Sequence, residues 1–95
     1  MNKSKTTNRD LEDLYKAMLK LRSVSECKKF FRDLCTLSEI EEMVERFKVV
    51  QMVDDGIPYR DICKKTGSST ATITRIAHWL HHGEGGYKLL LERLK

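Results

Sequence analysis

The sequence predicts an all-α fold of about six helices, with a helix-turn-helix in its second half. Apolar residues recur at helical spacing along the chain, and no segment alternates apolar and polar residues for long enough to make a strand. Glycines and Ser/Thr-x-x-Glu capping boxes divide this pattern into short segments. At 95 residues the chain suits one domain, which we place at 9–95 behind a flexible polar tail at 1–8.

Two helices are expected in the first third of the chain. The first, over about 9–22, follows from an apolar stripe of Leu11, Leu14, Tyr15, Met18 and Leu21. Ser23-x-x-Glu26 then has capping-box spacing, and the helix behind it carries Cys27, Phe30, Phe31, Leu34 and Cys35 on one face. Such wide stripes can pack into the chain's own core or against a second copy, and periodicity does not separate the two.

A longer third helix is expected to start at one of two overlapping capping boxes, Thr36-x-x-Glu39 and Ser38-x-x-Glu41. Its apolar face holds Ile40, Met43, Val44, Phe47, Val50 and Val53. Gly56 should end this helix, because glycine readily adopts the left-handed conformation at a helix C-terminus.

Three shorter helices should follow. Pro58 suits the first turn of the fourth, where its missing N–H costs little, and Gly67 ends it after about eight residues. Ser68 or Ser69 can cap the fifth helix, which runs to about His82. Residues 83–86 (GEGG) break the chain again, and residues 87–94 form the last helix.

The fourth and fifth helices have the spacing of a helix-turn-helix at about 57–82. Ile62 faces inward from the fourth helix, and Cys63 beside it is small enough for close helix approach. Ile73 and Ile76 lie on the inner side of the fifth helix, after a turn in which Gly67 can take a positive φ. An ordinary helical hairpin with Ser/Thr caps is the alternative that this pattern leaves open.

The outer side of this motif carries the chemistry of DNA binding. Small hydroxyl side chains at a helix N-terminus allow close approach to DNA, and they bond phosphates or base edges where the helix dipole favours an anion. Residues 57–82 also hold four Lys or Arg against one Asp. The predicted DNA contacts are Tyr59, Arg60, Lys64, Ser68, Ser69, Thr70, Ala71, Thr72, Thr74 and Arg75. The sequence therefore predicts a protein that binds double-stranded DNA.

Composition argues against several other classes of protein. The formal net charge of +4 permits phosphate binding without requiring it. Three cysteines without a C-x-x-C pair indicate reduced thiols and a cytoplasmic protein. The longest apolar runs have three residues, so we expect no membrane partner. We expect no enzyme either, because no phosphate-binding glycine loop follows a strand and no Ser–His or Cys–His pair has a group to orient it.

Two alternative functions compete with DNA binding. His78, His81 and His82 could join a cysteine in a metal-sensing regulator, because His78 and His82 lie one helical turn apart. No cysteine has a defined spacing to them, and histidines near a helix C-terminus already suit the dipole, so we predict no metal site and no cofactor. A helical protein-interaction module is the second alternative.

The residues that carry these predictions resemble the Trp-repressor superfamily, and specifically its YerC/YecD-like branch. The resemblance covers about two-thirds of the chain, from Thr36 to Lys95, and the first two helices more loosely. It rests on residues 45–47 (ERF), 56–62 (GIPYRDI), 69–75 (STATITR) and 85–94 (GGYKLLLERL). The run ATITR joined to GGYK is quite specific.

This resemblance implies an intertwined homodimer in which both chains build one all-helical core. It also implies two recognition helices that enter successive major grooves, and hence a two-fold symmetric operator. We therefore predict a sequence-specific DNA-binding regulator of transcription, and specifically a repressor.

The resemblance also identifies candidate residues for an effector. In the tryptophan-binding members two arginines flank the amino acid, and they match Arg46 and Arg75, the candidates for an amino-acid-like ligand. Ile76 and Trp79 stand where those members have a glycine and a small polar residue, which argues against tryptophan as the corepressor. An ion pair of Arg46 with a neighbouring glutamate, at position 42 or 45, is the alternative.

Overall fold

Six α-helices follow one another in the computed structural model, which describes residues 5–95. They are α1 (Asn8–Met18), α2 (Val24–Leu34), α3 (Leu37–Asp54), α4 (Tyr59–Thr66), α5 (Thr70–His82) and α6 (Gly86–Leu94). No strand occurs within residues 5–95, so the predicted all-α class with six helices is confirmed. In the same range no helix is both long and apolar enough to cross a bilayer.

The chain divides into two compact units, one up to Leu37 and one from Ser38 to Lys95. The single domain that we placed at 9–95 therefore stays a prediction. Part of the flexible tail predicted at 1–8 falls on residues 1–4, which lie outside the described residues.

In the first unit, α1 begins at a capping box formed by Thr7 and Asp10, which is not among the predicted ones. Thr7 Oγ1 accepts the backbone N–H of Asp10 at 3.1 Å, and the Asp10 carboxylate accepts the N–H of Thr7 at 3.0 Å. The helix ends at Met18 and not at the predicted residue 22. Arg22 donates its N–H to Glu26 Oε1 at 2.8 Å, so this N–H is not available to continue α1.

The second helix of this unit starts as its capping box predicts, with one difference. Ser23 Oγ accepts the N–H of Glu26 at 3.1 Å, as expected, but Glu26 reaches back to the N–H of Arg22 and not to that of Ser23. Of the described side chains in α1 and α2 none is buried, and Tyr15 is 58% exposed. The apolar stripes of both helices therefore remain largely uncovered in the single chain.

Local signals also set the ends of α3. The helix begins at Leu37, directly after Thr36, so the first of the two overlapping capping boxes has the right position. A Schellman motif closes its C-terminus, and in it the N–H of Ile57 donates to the carbonyl oxygen of Met52 at 3.1 Å. Gly56 within this motif has a φ of +80°, the left-handed conformation expected for it.

The core of the second unit draws on α3, α4, α5 and α6. Its buried side chains are Val49, Val50, Ile62, Ile73, Ile76, Leu80 and Leu91. In this unit α4 contacts α5, and α5 contacts α6. Each of the four helices therefore contributes at least one buried aliphatic side chain to the cluster that holds α4 and α5 together.

Candidate nucleic-acid interface

A tight turn joins α4 to α5 at Gly67. This residue has φ +79° and ψ 0°, and its N–H closes α4 by donating to the carbonyl oxygen of Cys63 at 2.8 Å. A Cβ at position 67 would meet no atom within 4 Å. Glycine is therefore favoured here by its positive φ and not by a lack of room for a side chain. The predicted glycine turn is confirmed. At the other end of α4, Pro58 occupies the N-cap position, just before the first turn in which we placed it.

The inner side of the two helices is apolar, as the spacing predicts. Ile62 and Ile73 have no exposed surface, and Ile76 is only 7% exposed. Cys63 is half-buried and packs against the same cluster. The inner residues assigned from the sequence are thus confirmed, and the opposite sides of α4 and α5 face solvent.

A network of hydroxyl groups starts α5. Ser69 is the N-cap, and its Oγ accepts the N–H of Thr72 at 3.1 Å. The two hydroxyl oxygens, Ser69 Oγ and Thr72 Oγ1, are also hydrogen-bonded to each other at 3.1 Å. This bond uses one of their two protons, and the other remains available to a ligand.

Most of the predicted contact residues are exposed in the structure. The exposed ones are Tyr59, Arg60 and Lys64 on α4, Ser69 at the cap, and Thr70, Ala71, Thr74 and Arg75 on α5. Ser68 and Thr72 are half-buried. One helix-turn-helix therefore carries the whole set, and its contact with DNA stays a prediction.

Glu45 of α3 also contacts this site, although it is not among the predicted contact residues. Ser68 Oγ donates to Glu45 Oε2 at 2.8 Å, and both side chains are half-buried. Thr66 Oγ1 accepts the N–H of Ser68 at 3.1 Å and donates to the carbonyl oxygen of Ile62 at 2.8 Å. These bonds explain why Thr66 and Ser68 are polar although they lie at a turn where apolar side chains would otherwise be expected.

Both candidate effector residues, Arg46 and Arg75, lie at the surface. Arg46 Nη2 is 3.7 Å from Glu42 Oε1, the ion pair weighed as its alternative role, and both side chains are mainly exposed. Arg75 is exposed as well. Ile76 belongs to the buried core, whereas Trp79 is 54% exposed.

A cavity of about 160 Å³ is lined by residues other than these candidates, namely Gln51, Asp54, Asp55, Leu91, Leu94 and Lys95.

The three histidines lie on the exposed surface near the end of α5. The ring centroids of His78 and His82 are 5.2 Å apart, as expected for residues one turn apart. Within residues 5–95 no group of three or more His, Cys, Asp or Glu side chains is arranged to hold a metal ion. The geometry therefore gives no support to the metal-sensing alternative.

Known proteins are similar to this chain in sequence, and two solved structures are similar to it in fold. The family model described as Trp repressor protein matches residues 9–95. The uncharacterised protein YerC of Bacillus subtilis (strain 168) is 38% identical over 95 residues, which are 100% of this chain and 91% of that protein. The crystal structure of a TrpR-like protein from Eubacterium eligens ATCC 27750 has 41% identity and a TM-score of 0.87, covering 92% of this chain and 90% of that one. A Staphylococcus aureus crystal structure has 38% identity and a TM-score of 0.86, covering 93% and 88%.

Proposed function

We propose that this chain, which belongs to the Trp repressor family of transcription regulators, binds specific DNA sequences and represses transcription in the cytoplasm. The observation that carries the proposal is the division of α5 into two faces. Ile73 and Ile76 lie in the core, while Thr74 and Arg75 are exposed beside them. A recognition helix packs against the rest of the protein on one side and presents polar side chains to the major groove on the other.

In this proposal α5 reads bases and α4 holds the DNA backbone. The exposed or half-exposed Thr70, Thr72 and Thr74 offer hydroxyl groups to base edges and methyl groups to thymine. Arg75 can donate to a guanine or a phosphate. Tyr59, Arg60 and Lys64 are exposed on α4 and suit phosphate oxygens on either side of the groove.

The active form that we propose is a homodimer. Neither α1 nor α2 buries a described side chain, so the first unit lacks an apolar core of its own. A second copy of the chain would cover these stripes, and two-fold dimers are the commonest protein oligomers. Two recognition helices related by that axis would then match an operator with two-fold symmetry. Light scattering at micromolar concentration should give twice the mass of the chain, and a monomer would contradict this part of the proposal.

We also propose a small-molecule effector, and this part of the proposal rests on the family resemblance. Arg46 and Arg75 are its candidate residues, and the exposed Glu42–Arg46 ion pair costs little to exchange for a ligand carboxylate. Ile76 takes part in the core at the position where the tryptophan-binding members leave space with a glycine, so we do not expect tryptophan to be the ligand. The affinity of the protein for its preferred duplex, measured with each of a panel of amino acids, tests whether any of them acts.

Selection from a random pool of duplexes tests the proposed function itself. The bound sequences should converge on a site with two-fold symmetry, and affinity for it should fall steeply with salt because phosphate contacts release counterions. A pool that does not converge, or weak salt dependence, would favour the protein-interaction module instead.

Single substitutions then distinguish base contacts from backbone contacts. Thr72→Ala should lower affinity for the selected duplex about tenfold more than for a random one, because a base contact contributes roughly 1–3 kcal/mol to discrimination. Arg60→Ala should weaken binding to both duplexes alike and reduce the salt slope by about one. Arg93→Ala on α6 is the matched control, because it removes the same charge from an exposed site outside the motif.

A further inference from the structure

A hydrogen bond connects the turn of the helix-turn-helix to α3, and the DNA-binding proposal does not use it. Ser68 Oγ donates to Glu45 Oε2 at 2.8 Å across 23 positions of sequence. Both side chains are half-buried, so solvent screens this bond less than one at an exposed site. The acceptor is a carboxylate, which makes stronger hydrogen bonds than a neutral group does.

Three helices meet at Ser68 through this bond and its neighbours. The N–H of Ser68 donates to Thr66 Oγ1, and Thr66 Oγ1 donates in turn to the carbonyl oxygen of Ile62 in α4. The hydroxyl of Ser68 reaches Glu45 in α3, and the next residue, Ser69, caps α5. A change in the position of Ser68 therefore moves the N-terminus of α5 relative to the other two helices.

We propose that Glu45 is a positioning residue that fixes the angle at which α5 meets DNA, an inference that rests on the proposed DNA binding. Packing of Ile62 and Ile73 sets the angle between α4 and α5, and the bond from Ser68 adds a tie to α3. A hydrogen bond depends on direction as well as distance, so this tie restricts the N-terminus of α5 further than packing alone does. A hydroxyl has one proton, so Ser68 cannot donate to a phosphate while it donates to Glu45.

The test compares Glu45→Ala, Ser68→Ala and the double variant on two duplexes, the one selected from the random pool and a random one. Each single variant should bind the selected duplex about ten- to a hundredfold more weakly, the loss expected for a hydrogen bond to a charged group. Affinity for the random duplex should stay within about twofold, because phosphate contacts tolerate a tilt of the helix better than base contacts do. The double variant should be no weaker than either single one, since both remove the same bond.

Two further variants separate the bond from the charge. Glu45→Gln keeps an oxygen acceptor and removes the charge, so it should retain the ratio of selected to random affinity to within about twofold. Glu41→Ala removes the same charge from an exposed position one turn earlier in α3, and it should leave the ratio unchanged. Urea unfolding of all variants shows that each one is folded under the binding conditions.

Several outcomes would overturn the inference. If Ser68→Ala weakens binding and Glu45→Ala does not, Ser68 touches DNA directly. Losses that multiply in the double variant, or an equal loss in Glu41→Ala, would likewise exclude positioning through this bond. If the unchanged protein selects no duplex, the proposed function fails, and hydrogen exchange of the amides of residues 68–72 in DNA-free protein still tests the bond. That exchange should be faster in Glu45→Ala than in Glu41→Ala, and equal rates would refute the constraint.

Discussion

Ile73 and Thr74 are neighbours on α5 whose substitution should separate stability from DNA binding. Ile73 has no exposed surface, whereas Thr74 is exposed. Ile73→Val deletes one methylene from the core, so the free energy of unfolding should fall by about 1 kcal/mol. With a urea dependence of about 1–1.5 kcal/mol per molar for a chain of this size, the unfolding midpoint should fall by about 0.7–1 M.

Thr74→Ala should have the opposite profile. It removes an exposed hydroxyl and methyl group and introduces a strong helix former, so the free energy of unfolding should change by no more than about 0.5 kcal/mol. Affinity for the selected duplex should fall about tenfold if Thr74 contacts a base, while affinity for a random duplex should hold. Ile73→Val should bind both duplexes like the unchanged protein.

Far-ultraviolet circular dichroism in urea gives the midpoints, and anisotropy of a labelled duplex gives the affinities. All unfolding curves need the same protein concentration, because the stability of a dimer depends on it. An unchanged midpoint in Ile73→Val would show that this side chain is not in the core. A midpoint that falls as far in Thr74→Ala as in Ile73→Val would refute the assignment of opposite faces.

Two glycine substitutions give further predictions. Gly67→Ala should lower the free energy of unfolding by about 1 kcal/mol, because alanine is strained at a φ of +79° even with no atom within 4 Å. Gly67→Asn should recover most of this loss, and equal midpoints for Ala and Asn would contradict a conformational cause. Gly83→Ala should destabilise more than Gly67→Ala although its φ is −86°, because its Cβ would overlap the backbone oxygen of Trp79. Emission from the single tryptophan should therefore change in Gly83→Ala and remain unchanged in Gly67→Ala.

Helix boundaries could be predicted from the sequence where the signal lies within one turn of the boundary. Gly56, Gly67 and Ser69 act through atoms no more than five residues away, so their residue types alone indicate where α3, α4 and α5 end or begin. The end of α1 could not be found in this way. There the N–H groups of Lys20 and Leu21 bond three residues back, and the N–H of Arg22 donates to the carboxylate of Glu26. Apolar periodicity contains no information about these bonds.

The sequence predicts which positions of the candidate site are exposed, but it does not predict the hydrogen bonds that the hydroxyl groups make. Helical spacing identifies exposed positions because it depends only on the geometry of one helix, and α5 follows it. The bond from Ser68 to Glu45 spans 23 positions, and no periodic pattern indicates it.

The internal bonds also change which hydroxyl groups can donate to DNA. Composition alone suggests five donors between Ser68 and Thr74, all equivalent. Two of the five protons are used within the protein: Ser68 donates to Glu45, and one proton forms the bond between the hydroxyls of Ser69 and Thr72. Ser68 can still accept from a base amino group, but donation to a phosphate or a base acceptor falls to Thr70, to Thr74 and to one hydroxyl of the bonded pair. Thr70 and Thr74 lie one helical turn apart, so a preference for particular bases should depend more on these two threonines than on Ser68.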